Sequence, residues 1–140
     1  MRKSLSFVTA AGAALIASSL AMMPAAVAGD KLPTDKECGK LKDADAATQG
    51  WCVMINRRKC NCLACHDVVT QKWPDALPAS GNIGPPLVSM KARFPDKAKL
   101  RAQIWDATVA NPHSSMVPFG KHKVLSESDI DNIVTFLYTI

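Results

Sequence analysis

Cys62-Leu63-Ala64-Cys65-His66 is a C-x-x-C-H run, and the rest of the sequence is best read outward from it. A two-residue spacer sets two thiols about a porphyrin edge apart, so both can add to the vinyl groups of one haem. The adjoining His66 then falls beneath the iron as an axial ligand. A zinc site would need two further ligands at similar spacing, and no second Cys/His pair follows. A thioredoxin-like redox pair has no use for the histidine and belongs in a βαβ context that the sequence lacks. The run therefore predicts one haem c, covalently attached through Cys62 and Cys65.

The N-terminus agrees with that chemistry. Arg2 and Lys3 precede an uncharged Ala/Leu/Ile/Met/Ser segment from Leu5 to Met23, Pro24 breaks it, and Ala26-Val27-Ala28 is an A-x-A cleavage signature before Gly29. Residues 1–28 are read as a secretory signal peptide, and residues 29–140 as one domain exported to a bacterial periplasm. The segment is nearly long enough to span a bilayer, but it is Ala/Ser-rich rather than Leu-rich, which favours cleavage over anchoring. Taking Arg2 and Lys3 from 17 basic residues leaves 15 against 12 acidic ones, a net +3. Scattered cations and few aromatics exclude nucleic-acid binding as the leading reading and leave room for a modest acidic-partner surface.

Three helices are legible. Ser126 is an N-cap with Glu127 and Asp129 in the first turn, and Ile130, Ile133, Val134 and Leu137 form one apolar stripe to about Tyr138. A middle helix starts after Pro95-Asp96, carries Leu100, Ile104 and Ala107 on one face, and runs to Asn111-Pro112. A third precedes the C-x-x-C-H run and carries Ala47, Trp51, Met54 and Ile55. No alternating strand pattern occurs, so the fold class is all-α, with long loops that a buried haem would help to organise.

A ligand opposite His66 is sought among few residues. Met116, in a Pro-stiffened loop, is the assigned distal ligand; Met90, His113 and His122 compete with it, and Met54 is read as core filler. Pro85, in Gly84-Pro85-Pro86-Leu87, is assigned the carbonyl that orients the His66 ring; an ordinary tight turn would look the same in sequence. Of the three remaining cysteines, Cys38–Cys52 is the expected disulfide. A helix that held both Cys52 and Cys60 would separate them by about 12 Å, too far to bridge. Cys60 then stays free beside Arg57-Arg58-Lys59, cations that would lower its thiol pKa.

Together, C-x-x-C-H, G-P-x-L and Met-x-Pro before a terminal amphipathic helix resemble a class I cytochrome c. More narrowly, the runs 81–87, 90–96 and 100–107, with Asn111-Pro112, Met116, Pro118-Phe119-Gly120 and Phe136-Leu137-Tyr138, are similar to the sulfur-oxidation cytochrome family SoxX. Val117 and Cys60 depart from that family's pattern. The resemblance implies the small haem subunit of a heterodimer with a larger cytochrome subunit, SoxA, which joins thiosulfate to a cysteine on a carrier protein. It implies haem on Cys62 and Cys65, iron on His66 and Met116, and electrons passed to a downstream cytochrome. The catalytic cysteine of that L-cysteine S-thiosulfotransferase is expected on the partner, so no catalytic residue is assigned here. A mobile cytochrome c feeding a terminal oxidase, and a haem protein whose own Cys60 carries sulfur, are the alternatives.

Overall fold

The computed structural model describes residues 31–140, so the signal peptide expected at residues 1–28 lies outside the described residues. Five helices follow in chain order: α1 (Asp35–Cys38), α2 (Ala46–Ile55), α3 (Met90–Arg93), α4 (Lys97–Trp105) and α5 (Glu127–Leu137). No strand occurs among the described residues; a single parallel bridge joins Val68 and Leu87. The all-α expectation holds at that level. No helix among the described residues is long and apolar enough to cross a membrane.

The frame is the crossing of α2 and α5. Asp45 starts α2 by accepting from the amides of Ala47 and Thr48, which satisfies two of the donors a helix start leaves open. Ser126 starts α5 in a capping box with Asp129. The expected stripe Ile130, Ile133, Val134 and Leu137 is buried, as is Phe136, and it packs with Trp51, Met54 and Ile55 of α2 in one core. Each such side chain contributes about 1.5–3 kcal/mol relative to exposure. Close approach depends on Gly50: a Cβ there would sit 2.0 Å from the Asn132 carbonyl oxygen.

Trp51 carries the N-terminal arm. It is fully buried, lies edge-on to Trp73 at 5.9 Å, and donates its indole N–H to the Pro33 carbonyl at 2.7 Å. The expected Cys38–Cys52 disulfide is present and ties α1 to α2. The helical-distance argument against Cys60 does not apply, however. Helix α2 ends at Ile55, and Cys60 lies in the turn beyond it.

The middle helix is shorter than its sequence suggests. It stops at Trp105 because Asp106 turns extended (φ −155°, ψ 92°) and caps the amide of Thr108, opening a separate 3-10 turn at Ala107–Val109. Ala107 remains buried, so the apolar pattern was real while the continuous helix to Asn111 was not. The single turns α1 and α3 are too short for periodicity to reveal. At the C-terminus the carbonyl of Ile140 accepts from the Met90 amide at 2.9 Å, and the Tyr138 hydroxyl donates to the Phe94 carbonyl. The chain end thereby pins α3 against α5.

Candidate functional site

Between the α2–α5 frame and the loops lies a cavity of about 660 Å³, a size typical of small-molecule and cofactor sites. Every residue assigned from sequence to a ligand or attachment role reaches it: Cys62, Cys65, His66, Pro85 and Met116 all line its wall, as does the competitor Met90. His113 lines it too, whereas His122 does not.

The C-x-x-C-H run forms a tight turn. Asn61 takes a left-handed conformation (φ 41°, ψ 56°), Cys62–Ala64 make one 3-10 turn, and the amides of Cys65 and His66 both donate to the Cys62 carbonyl. A second segment is laid beside it by four backbone hydrogen bonds. Gly81 donates to Leu63, Gly84 to Cys65, Leu87 to Asp67, and Val69 to Leu87, at 2.7–3.1 Å. That alignment brings the Pro85 carbonyl 2.7 Å from His66 Nδ1. With Nδ1 donating its proton there, Nε2 is the nitrogen left free to coordinate. Gly84 makes the approach possible, since a Cβ at that position would meet the imidazole at 2.5 Å.

Three methionines line the wall, and the two ligand candidates, Met90 and Met116, differ in their surroundings. Met90 is 2% exposed, and its sulfur receives the Arg93 guanidinium at 3.7 Å. Met116 is half-buried on the loop between α4 and α5, where its own amide donates to Ser114 Oγ at 3.2 Å. Met54, read from sequence as core filler, is fully buried and also lines the cavity.

Cys60 is closer to the site than its sequence position alone suggests. Its sulfur lies 3.7 Å from that of Cys62 and 3.1 Å from the Val53 carbonyl. The Cys62 thiol donates to Cys60 and so favours the Cys60 thiolate, lowering its pKa, as does the Cys62 backbone; burial and the Asp129 carboxylate oppose this, and Lys59 assists least. Of the three cations named from sequence, Lys59 is the one among the principal causes. The same bond, with burial, raises the Cys62 thiol well above the usual range.

Among the described residues no group of three or more His, Cys, Asp or Glu side chains could hold a metal ion alone. The donor set is instead one oriented imidazole, two thiols and a thioether on an otherwise largely apolar wall. That set offers nitrogen and sulfur donors on one cavity wall, a chemistry that could ligate a group bringing its own metal. The chain matches no protein-family model and no curated protein.

Proposed function

We propose that this chain is a periplasmic mono-haem c-type cytochrome of the class I fold, acting as the electron-transfer subunit of a thiosulfate-oxidising complex. The observation that carries the haem reading is the convergence of Cys62, Cys65, His66 and Met116 on one cavity, with His66 held at 2.7 Å by Pro85. Bound haem would supply a one-electron iron couple. Cys62 and Cys65 would tether it by thioethers, and His66 would present Nε2 in the orientation that the Pro85 carbonyl fixes. Met116 offers a soft sulfur that favours the reduced metal and so raises the potential. Leu100, Ile104, Leu125 and Leu137 on the wall keep water from the site.

The sulfur-oxidation role rests on the resemblance of residues 81–107 and 111–120 to the SoxX family, and the surface is compatible with it. Around the cavity mouth Ile83 is 76% exposed and Val117 45% exposed, an apolar rim suited to a protein partner such as SoxA. Joining thiosulfate to a carrier cysteine forms one S–S bond and releases two electrons, so a one-electron carrier turns over twice per product. The larger subunit holds the reacting sulfur in this reading, and a downstream cytochrome takes the electrons.

Mass spectrometry of protein matured with haem-attachment machinery should show one haem added. The oxidised form should carry the weak far-red band of methionine sulfur on ferric iron. Met116→Ala should remove that band and lower the potential, and His66→Ala should prevent stable holoprotein. A chain that matures without haem, or one whose band is lost in Met90→Ala but kept in Met116→Ala, overturns the assignment. Co-purification with a larger haem subunit separates the complex from a free mobile cytochrome. Unchanged thiosulfate-dependent turnover in Cys60→Ser removes the sulfur-carrying alternative.

A further inference from the structure

We propose that Asp106 is a positioning residue for the distal sulfur: with Lys121 it clasps the two ends of the Met116 loop and limits how often that sulfur swings away from the cavity. The proposal rests on the reading of Met116 as an iron ligand. Asp106 is the one charged side chain buried among the described residues, at 6% exposure. A buried carboxylate must be compensated, and the partners here are informative. Lys121 donates to it at 2.8 Å from 15 residues along the chain, while the Thr108 amide at 3.0 Å and the Thr108 hydroxyl donate from the near side. The amides of Gly120 and Lys121 both donate to the Trp105 carbonyl at 3.2 Å. Segment 106–121 is thus a loop closed at its base.

Its far end is fastened less well. Within 111–117, the hydrogen bonds among the described residues are local: Asn111 to Ala107, His113 and Ser114 back to Asn111, Met116 to Ser114. The sulfur is therefore held over the cavity chiefly by how the base is closed and by packing against the wall. Thioether sulfur is a weak ligand, so a loosened base would show first as more frequent departure of Met116, before any loss of fold.

Carbon monoxide reports that departure, because it binds ferrous iron only when the methionine is away. Its association rate should be measured on haem-loaded wild type, Asp106→Asn, Lys121→Met and the double variant. Because Lys121 is 58% exposed along its side chain, each single change should raise the rate by only roughly three- to tenfold, and the double change should add little to either. Additivity is the mark of two independent sites and would overturn the clasp. So would unchanged rates in both single variants alongside a lowered denaturation midpoint, which is the pattern of a purely structural ion pair. Fast carbon monoxide binding in wild type without the far-red band would instead remove Met116 as ligand, and the clasp with it. If Asp106→Asn does not fold, the rate in Lys121→Met alone decides.

Discussion

On one side of the cavity, α2 and α5 meet through fully buried Trp51, Met54, Ile130 and Ile133, with Gly50 letting the backbones approach. On the other side, residues 61–93 and 106–125 contain only short helical turns and are aligned by backbone hydrogen bonds, the clamp of Met90 by Ile140, and the ion pairs Lys31–Asp75 and Lys121–Asp106. The first region is built from apolar area, which is non-directional and tolerates little change in volume. The second is built from directional bonds that place particular atoms, such as the Pro85 carbonyl, at particular spots. A frame and a placing wall are different jobs, and the chain divides them between helices and loops.

Omitting the cofactor should separate the two most sharply. As Cys62→Ser/Cys65→Ser, or made without attachment machinery, the chain should lose fixed tertiary structure and its near-UV signal while keeping part of its far-UV helical signal from α2 and α5. A cooperatively unfolding, fully packed apoprotein would mean the wall stands without the group it surrounds. Next in size is Gly50→Ala in the holoprotein. The nearest obstacle is backbone rather than a movable side chain, so the helices must part, at a cost of about 3 kcal/mol in a denaturant titration. A change below a tenth of that would show the crossing to be loose.

Acid should reach the wall through Asp106. Lys121 and Thr108 hold the Asp106 carboxyl below its ordinary value of 3.8, at about 2. The folded pKa lies below the unfolded one, so the contribution is fully present above about pH 4 and fades as the pH falls towards 2. Asp129, held low by Ser126 and Lys59 against the opposing effect of burial, acts in the same direction at the α5 cap. Between pH 4 and 2 the far-red band should weaken in wild type ahead of far-UV helicity, and this lead should shrink in Asp106→Asn. Coincident loss of both signals would show that the wall has no separate acid sensitivity.

The same division explains what was legible in the sequence. The α5 stripe and its Ser126 cap are local patterns, and they were readable to the residue at the start of the helix. The C-x-x-C-H run, Pro85 and Met116 could each be named because their chemistry is local too. That the run and Pro85 line one cavity depends on backbone pairing between 63–69 and 81–87, and Met116 joins them through the loop closed at Trp105, neither of which a short pattern encodes. The break at Asp106 was hidden because Ala107 continues the apolar spacing of Leu100 and Ile104. The signal for it was present, in an Asp two residues before a Thr, an arrangement that caps a new turn. The contact between the Cys60 and Cys62 sulfurs follows from the left-handed turn at Asn61, which no short pattern encodes.

The smallest expected effect concerns docking, where Lys91, Arg93, Lys97, Lys99 and Arg101 crowd one short stretch of the chain. In the folded chain these charges are not equivalent. Arg101 is paired with Glu127 and Asp131, Arg93 donates to the Pro86 carbonyl at 2.6 Å, and Lys97 lies 5.0 Å over the Tyr138 ring. Lys91 and Lys99 are exposed and enter none of the salt bridges found among the described residues. An acidic partner would therefore be steered by fewer charges than five, and charge reversal at Lys97 and Lys99 together should slow association only about two- to threefold at low salt. Added salt should erase the difference, since the screening length is about 8 Å at physiological ionic strength. Ile83→Ser, by contrast, should speed dissociation while leaving the association rate and the haem spectrum unchanged, because the rim residue acts after encounter. Salt-independent association with unaffected reversed variants would assign docking to the apolar rim alone. A steep salt dependence lost on reversing Lys97 and Lys99 would instead show that α4, between the two stretches of the wall, carries an electrostatic guide.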